Sequence, residues 1–147
     1  MRIDDVIGDA RTVGIGGHIR PDGDCIGSCM GMYLYLRRKY PKISVDVFLE
    51  EIPEEYRLIK DTDKVRTDFA TETEQYDLFI VLDSGKERLG KAEKYFDAAV
   101  RTVNIDHHIS NTGTGDVNYI VPEASSASEL VYRVIDTQML DRDIAMA

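Results

Sequence analysis

The stretch Asp77-Leu-Phe-Ile-Val-Leu-Asp83 decides the fold. Residues 78–82 are apolar without a break, the pattern of a strand buried on both faces. Such strands belong to parallel sheets covered by helices on each side. Working outward, Thr12-Val-Gly-Ile-Gly-Gly-His18, Ile43-Ser-Val-Asp-Val-Phe-Leu49, Val100-Arg-Thr-Val-Asn-Ile105 and Val117-Asn-Tyr-Ile-Val121 read as four further strands. Helical spacing links Ile3, Val6, Ile7 and Ala10, then Ile26, Cys29, Met30, Tyr33 and Leu34, and finally Ala127, Leu130, Val131, Val134 and Ile135. Pro41 lies just past the second of these helices, and Pro53 followed by two glutamates reads as a helix start. Helical material is also predicted between Lys86 and Ala98, and mostly loop from Asp61 to Gln75. Strands alternating with helices predict an α/β domain with a mostly parallel five-stranded sheet flanked by helices.

Composition narrows the function. At 147 residues the chain reads as one domain, and 43% hydrophobic with 31% charged residues is an ordinary globular balance. No apolar run approaches the roughly 20 residues of a membrane span. Asp4 and Asp5 stand where a signal peptide would be basic and then apolar, so a cytoplasmic protein is expected. The net charge of −9 argues against a basic surface gripping long duplex nucleic acid, though not against a phosphate substrate held through cations. Cys25 and Cys29 share a helical face without a Cys-x-x-Cys motif, and read as small buried residues, not a disulfide.

The chemistry-bearing residues fall at strand ends. In open parallel sheets, ligands bind beyond the carboxyl ends of the strands. All three histidines of the chain, His18, His107 and His108, follow predicted strands there, as do Asp22, Asp24, Asp83 and Asp106. Singly, each has a plain explanation: Asp24 capping the next helix, Arg20-Pro-Asp-Gly as a turn, His107-His108 as a surface feature. Together they are a concentration of carboxylate and imidazole that calls for protons or cations. Their donor types suit Mn²⁺, Zn²⁺, Fe²⁺ or Co²⁺, and their number suits two ions sharing a carboxylate.

These residues also resemble a family. His18-x-x-Pro21-Asp22-x-Asp24 with Gly27-Ser28, then Asp83 closing an apolar strand, then Asp106-His107-His108, is similar to the first three motifs of the DHH phosphoesterases, in order. Ser125-Ser126-Ala127-Ser128-Glu129-Leu130 resembles the serine-rich helix start of their nano-RNase and pAp-phosphatase branch. The resemblance implies a metal-dependent phosphoesterase acting on small nucleotides or short single-stranded RNA or DNA, through hydroxide formed between two cations. It implies one metal on His18, Asp22 and Asp83, and a second on Asp24, Asp83 and His107. His108 would contact the scissile phosphate, and Asp106 would orient a histidine. Mn²⁺ is the implied cofactor, with Mg²⁺ or Co²⁺ as substitutes.

The family's fourth motif, an Asp-Thr-Gly-like turn, has no match in Leu140-Asp-Arg-Asp-Ile-Ala-Met-Ala147, and no C-terminal substrate domain follows. Residues 1–147 therefore read as a catalytic domain truncated before both, with weak or absent hydrolysis and a tendency to form homodimers. A family II-like inorganic pyrophosphatase would share the ligands but carry Asn where this chain has Arg20. A RecJ-type exonuclease fits the acidic surface poorly. A dinucleotide-binding module would require Gly-x-Gly-x-x-Gly, and position 19 is Ile. A nucleotide-binding domain without catalysis would hold no transition metal.

Overall fold

A computed structural model describes residues 1–147. Five strands, β1 (Thr12–Gly16), β2 (Ser44–Phe48), β3 (Leu78–Leu82), β4 (Arg101–Asp106) and β5 (Val117–Ile120), form one sheet in the order β2-β1-β3-β4-β5. Every pairing is parallel. The order reverses between β1 and β3, which makes their carboxyl ends the topological switch point where such sheets bind ligands. The helices are α1 (Ile3–Ile7), α2 (Gly23–Lys39), α3 (Glu93–Ala98), α4 (Ala127–Val134) and α5 (Arg142–Met146).

Strand periodicity divides the core. Leu78, Ile80 and Leu82 join Val13 and Ile15 in a large cluster with the buried face of α2 and with Leu130, Val131 and Val134 of α4. Phe79 and Val81 point the other way, into a smaller cluster with Phe48, Phe69, Tyr76, Leu89, Ala92 and Phe96. The glycines of β1 are explained on that second face. Gly14 pairs with Phe79, and a Cβ on Gly14 would lie 2.5 Å from the Phe79 ring. A Cβ on Gly16 would lie 2.9 Å from Leu89 Cδ2. The aromatic ring fills the space two missing side chains leave, so these glycines serve packing and not a dinucleotide. Gly14→Ala should cost about 1–3 kcal/mol by overpacking, lowering Tm by several degrees in thermal unfolding. Phe79→Leu in the same chain should recover part of the loss; a neutral Gly14→Ala would refute the fit.

The far end of α2 is pinned to both termini of the chain. Asp4 accepts hydrogen bonds from Tyr35 Oη at 2.7 Å, Tyr40 Oη at 2.8 Å and Lys39 Nζ at 2.6 Å. Lys39 also reaches Asp136 at 3.2 Å. Burial opposes ionisation of Asp4, but these three donors outweigh it and hold its carboxyl below 3.8. A depressed carboxyl contributes stability at pH above its unfolded value, and loses it as pH falls through the folded value. Asp4→Asn should therefore cost about 1 kcal/mol near neutrality, after discounting for partial exposure. The gap from wild type should close in melts run below pH 3.8. A constant gap across pH would show that the charge is irrelevant.

Candidate metal centre

The three strands that end at the switch point, β1, β3 and β4, lie side by side. Each releases its chain into a loop carrying the residues singled out above. Beyond β1, Gly17 and His18 lead to Asp22, whose side chain accepts from the Cys25 amide at 2.9 Å and caps α2. Asp83 follows β3 with φ 63°, a left-handed conformation tolerated by few residues besides glycine, asparagine and aspartate. Its amide still continues the ladder, donating to Ile105 O at 3.0 Å. Asp106 is the last residue of β4, with His107 and His108 next.

Asp83 stands at the middle of the group and is 2% exposed. Its Oδ2 lies 3.2 Å from His18 Nε2, and its Oδ1 lies 3.2 Å from His107 Nε2. His18 Nε2 is also 3.6 Å from Asp22 Oδ1, and His107 Nε2 is 3.4 Å from Asp24 Oδ2. One carboxylate thus faces two imidazole–aspartate pairs, one through each oxygen. Asp106 stands behind. Its Oδ1 meets His108 Nδ1 at 2.7 Å and accepts the His107 amide at 2.8 Å, while Oδ2 accepts from Asn111 Nδ2 at 2.9 Å. All seven residues named from the sequence are brought together at this rim.

The electrostatics fit divalent cations. None of Asp22, Asp24, Asp83 and Asp106 pairs with a lysine or arginine; the basic side chains within 4 Å of them are the three histidines. Burial pushes the Asp83 carboxyl up, and Asp24 and Asp22 add to the effect against the hydrogen bond from His18. The Asp83 hydrogen bond in turn pushes His18 up to about 11. This buried pair holds a proton where a cation would relieve the same crowding. His18 Nδ1 sits 2.7 Å from the Ile19 carbonyl, which favours a proton on Nδ1 and leaves Nε2 to face the carboxylates. A ligating histidine is ordinarily oriented in this way. The donor set of imidazole and carboxylate therefore suits a divalent ion, with His18, Asp22 and Asp83 on one side and Asp24, Asp83 and His107 on the other.

Two contributions were invisible in the sequence. Asp24 does not cap its own helix; Asp22 does. Asp24 instead reaches across the chain to α4, accepting from the amides of Ala127 and Ser128 at 2.9 Å each and from Ser128 Oγ at 2.8 Å. Burial opposes its ionisation, but those donors prevail and hold its carboxyl low. Ser126 caps the third free amide of α4, that of Glu129, at 3.0 Å. The serine-rich segment is thus a cradle for Asp24. The second contribution is Asn104, fully buried inside β4. Its Nδ2 donates to Ser84 O at 2.7 Å, and its Oδ1 accepts from Asn111 Nδ2 and Thr114 Oγ1, each at 3.0 Å. It ties the Asp83 turn to the loop after His108. An amide set between Val103 and Ile105, the two apolar residues of β4, was the signal available for it.

Comparison with known proteins bears on the family and the fold. The family model described as "DHH family, N-terminal domain" matches residues 12–147. The bifunctional oligoribonuclease and PAP phosphatase NrnA of Bacillus subtilis is 31% identical over 124 residues, 84% of this chain and 37% of that protein. The cyclic-di-AMP phosphodiesterase PdeA of Listeria monocytogenes is 30% identical over 152 residues, 92% of this chain and 23% of that protein. The crystal structure of an exopolyphosphatase-related protein from Bacteroides fragilis superposes with a TM-score of 0.77 at 26% identity, covering 90% of this chain and 41% of that one. The chain spans about a third or less of the length of these curated relatives. With that family model matched from Thr12 to Ala147, the chain belongs to the DHH family, whose N-terminal domain it carries.

Proposed function

We propose that this domain hydrolyses phosphate esters of small nucleotides or short single-stranded oligonucleotides with the help of divalent cations, Mn²⁺ foremost. The observation that carries the proposal is Asp83, a buried carboxylate presenting one oxygen to each of two imidazole–aspartate pairs. The relatives' printed activities, on oligoribonucleotides, PAP and cyclic-di-AMP, support the substrate class. Divalent ions, when bound, supply Lewis-acid charge for the phosphoryl oxygens and acidify water.

The chain's own residues account for the rest. His18, Asp22, Asp24, Asp83 and His107 would hold the cations. His108 is 44% exposed at its side chain and tethered through Nδ1 to Asp106, which is 1% exposed. Its other nitrogen is thereby directed outward, placed to donate a hydrogen bond to a phosphoryl oxygen and to offset charge developing there. Asp106 fixes that ring and the following loop without facing substrate. Asp106→Asn should lower turnover about 10–100-fold with a smaller change in cation affinity, as measured by steady-state kinetics beside calorimetric Mn²⁺ titration. Equal losses in both would move Asp106 into the cation shell.

The test of the whole reading is a Mn²⁺ titration of this chain followed by parallel assays of pAp, dinucleotides and pyrophosphate. Cation binding is expected, with weak Mn²⁺-dependent release from the nucleotides that is lost in Asp83→Asn. Absence of cation binding, or turnover indifferent to Asp83→Asn, would overturn it. Pyrophosphate cleavage without nucleotide cleavage would replace the substrate class by that of the family II pyrophosphatases.

A further inference from the structure

Cys25 stands in the first turn of α2, beside the His18–Asp83 pair, and its thiol has no part in the reading above. Its side chain is fully buried. A ring nitrogen of His18, the sulfur of Cys25 and a carboxylate oxygen of Asp83 lie within 4.8 Å of one another, and all three residues are buried. Gly17 makes the room. A Cβ on Gly17 would lie 2.3 Å from Cys25 Sγ, so any larger residue at this strand end would displace the sulfur. The Cys25 amide donates to Asp22 Oδ1 at 2.9 Å, so the turn that places Asp22 beside His18 also fixes the backbone from which the thiol projects. Cys29, one turn on, packs near Gly17 as well, but it does not belong to the three-donor cluster.

We propose that Cys25, His18 and Asp83 form a mixed sulfur–nitrogen–oxygen site for a thiophilic divalent cation of the Zn²⁺ or Cd²⁺ class. Hard ions such as Mn²⁺ prefer the oxygen donors in front, Asp22 and Asp83, whereas softer ions gain from the sulfur behind. On binding, the Cys25 S–H and the His18–Asp83 pair each give up a proton to solvent, and the freed sulfur and nitrogen lone pairs form bonds to the cation, with no change of oxidation state. The site shares two donors with the proposed Mn²⁺ position, so a thiophilic ion competes there with Mn²⁺. The proposal rests on reading His18 and Asp83 as cation donors, and its test separates the two ideas.

Co²⁺ reports sulfur ligation directly, through a thiolate-to-cobalt charge-transfer band in the near ultraviolet. Titration of the intact chain should raise that band together with Co²⁺ binding. The band should vanish in Cys25→Ser and persist in Cys29→Ser. Cd²⁺ affinity should fall about tenfold or more in Cys25→Ser, with a smaller change for Mn²⁺. A measurement without substitutions guards against misfolded variants: X-ray absorption of the Zn²⁺-loaded wild-type chain should show a sulfur neighbour at about 2.3 Å. A bound cation with nitrogen and oxygen neighbours alone, or a band that survives Cys25→Ser, would overturn the sulfur site and leave the phosphoesterase reading standing. Failure to bind any divalent cation would overturn both.

Discussion

Asp83→Asn is expected to abolish the thermal stabilisation that Mn²⁺ should give the wild-type chain through the proposed cation centre. A ligand bound to the native state at about a hundredfold excess over its Kd adds about 2.7 kcal/mol. For a domain of this size that is a Tm increase on the order of 5–10 °C. In the variant the increase should disappear, because the residue facing both imidazole–aspartate pairs can no longer carry the shared negative charge. Asparagine is the informative replacement. Asp83 has φ 63°, a conformation asparagine adopts readily, whereas alanine would add backbone strain of about 1–2 kcal/mol unrelated to metal. Without metal, the variant leaves the buried His18 without its carboxylate partner. Its Tm in chelator should therefore fall below the wild-type value. Scanning calorimetry with and without Mn²⁺ checks both statements, and a variant that keeps the Mn²⁺ response would remove Asp83 from the centre.

Asp24→Ala should lose stability in chelator for a different reason, the loss of a helix tie. The variant strips the amides of Ala127 and Ser128 and the Ser128 hydroxyl of their acceptor. Helix caps of this kind contribute about 0.5–2 kcal/mol, and hydrogen bonds to a charged partner lie at the upper end. About 2 kcal/mol is expected near neutral pH, lowering Tm by roughly 4–8 °C. Since the Asp24 carboxyl is held low, its contribution is present above 3.8 and fades as pH falls through the folded value. Ser126→Ala, which removes one capping contact to Glu129, should cost less. Wild-type stability for Asp24→Ala in chelator would mean that α4 does not depend on this tie.

The central strand was legible because β3 is an unbroken apolar run with both faces buried, and the others because β-branched and aromatic residues recur along them between turn residues. Helix positions were legible where the apolar face is long, as in α2, and blurred where it is short. Pro53 opens a single 3-10 turn, Glu54–Tyr56. The helical material expected from Lys86 to Ala98 is two such turns and a six-residue α3, interrupted at Gly90, whose φ is 65°. The site residues were legible because catalytic-type side chains at strand ends have one rim to occupy. Their internal division was not. Asp22 and Asp24 are both plausible caps by position, and only an interaction 103 residues away in sequence separates them. Asn104 escaped notice for the same reason: its partners lie on two loops that the sheet alone brings together.

The switch-point order also governs maturation. His18 meets Asp83 across 65 residues, and neither meets His107 until β3 is seated between β1 and β4. The first motif alone carries His18, Asp22 and Asp24 but not the carboxylate that faces both imidazoles. On the proposed cation centre, the full donor set therefore exists only once three adjacent strands have docked, so tight capture of a cation should follow folding of the sheet.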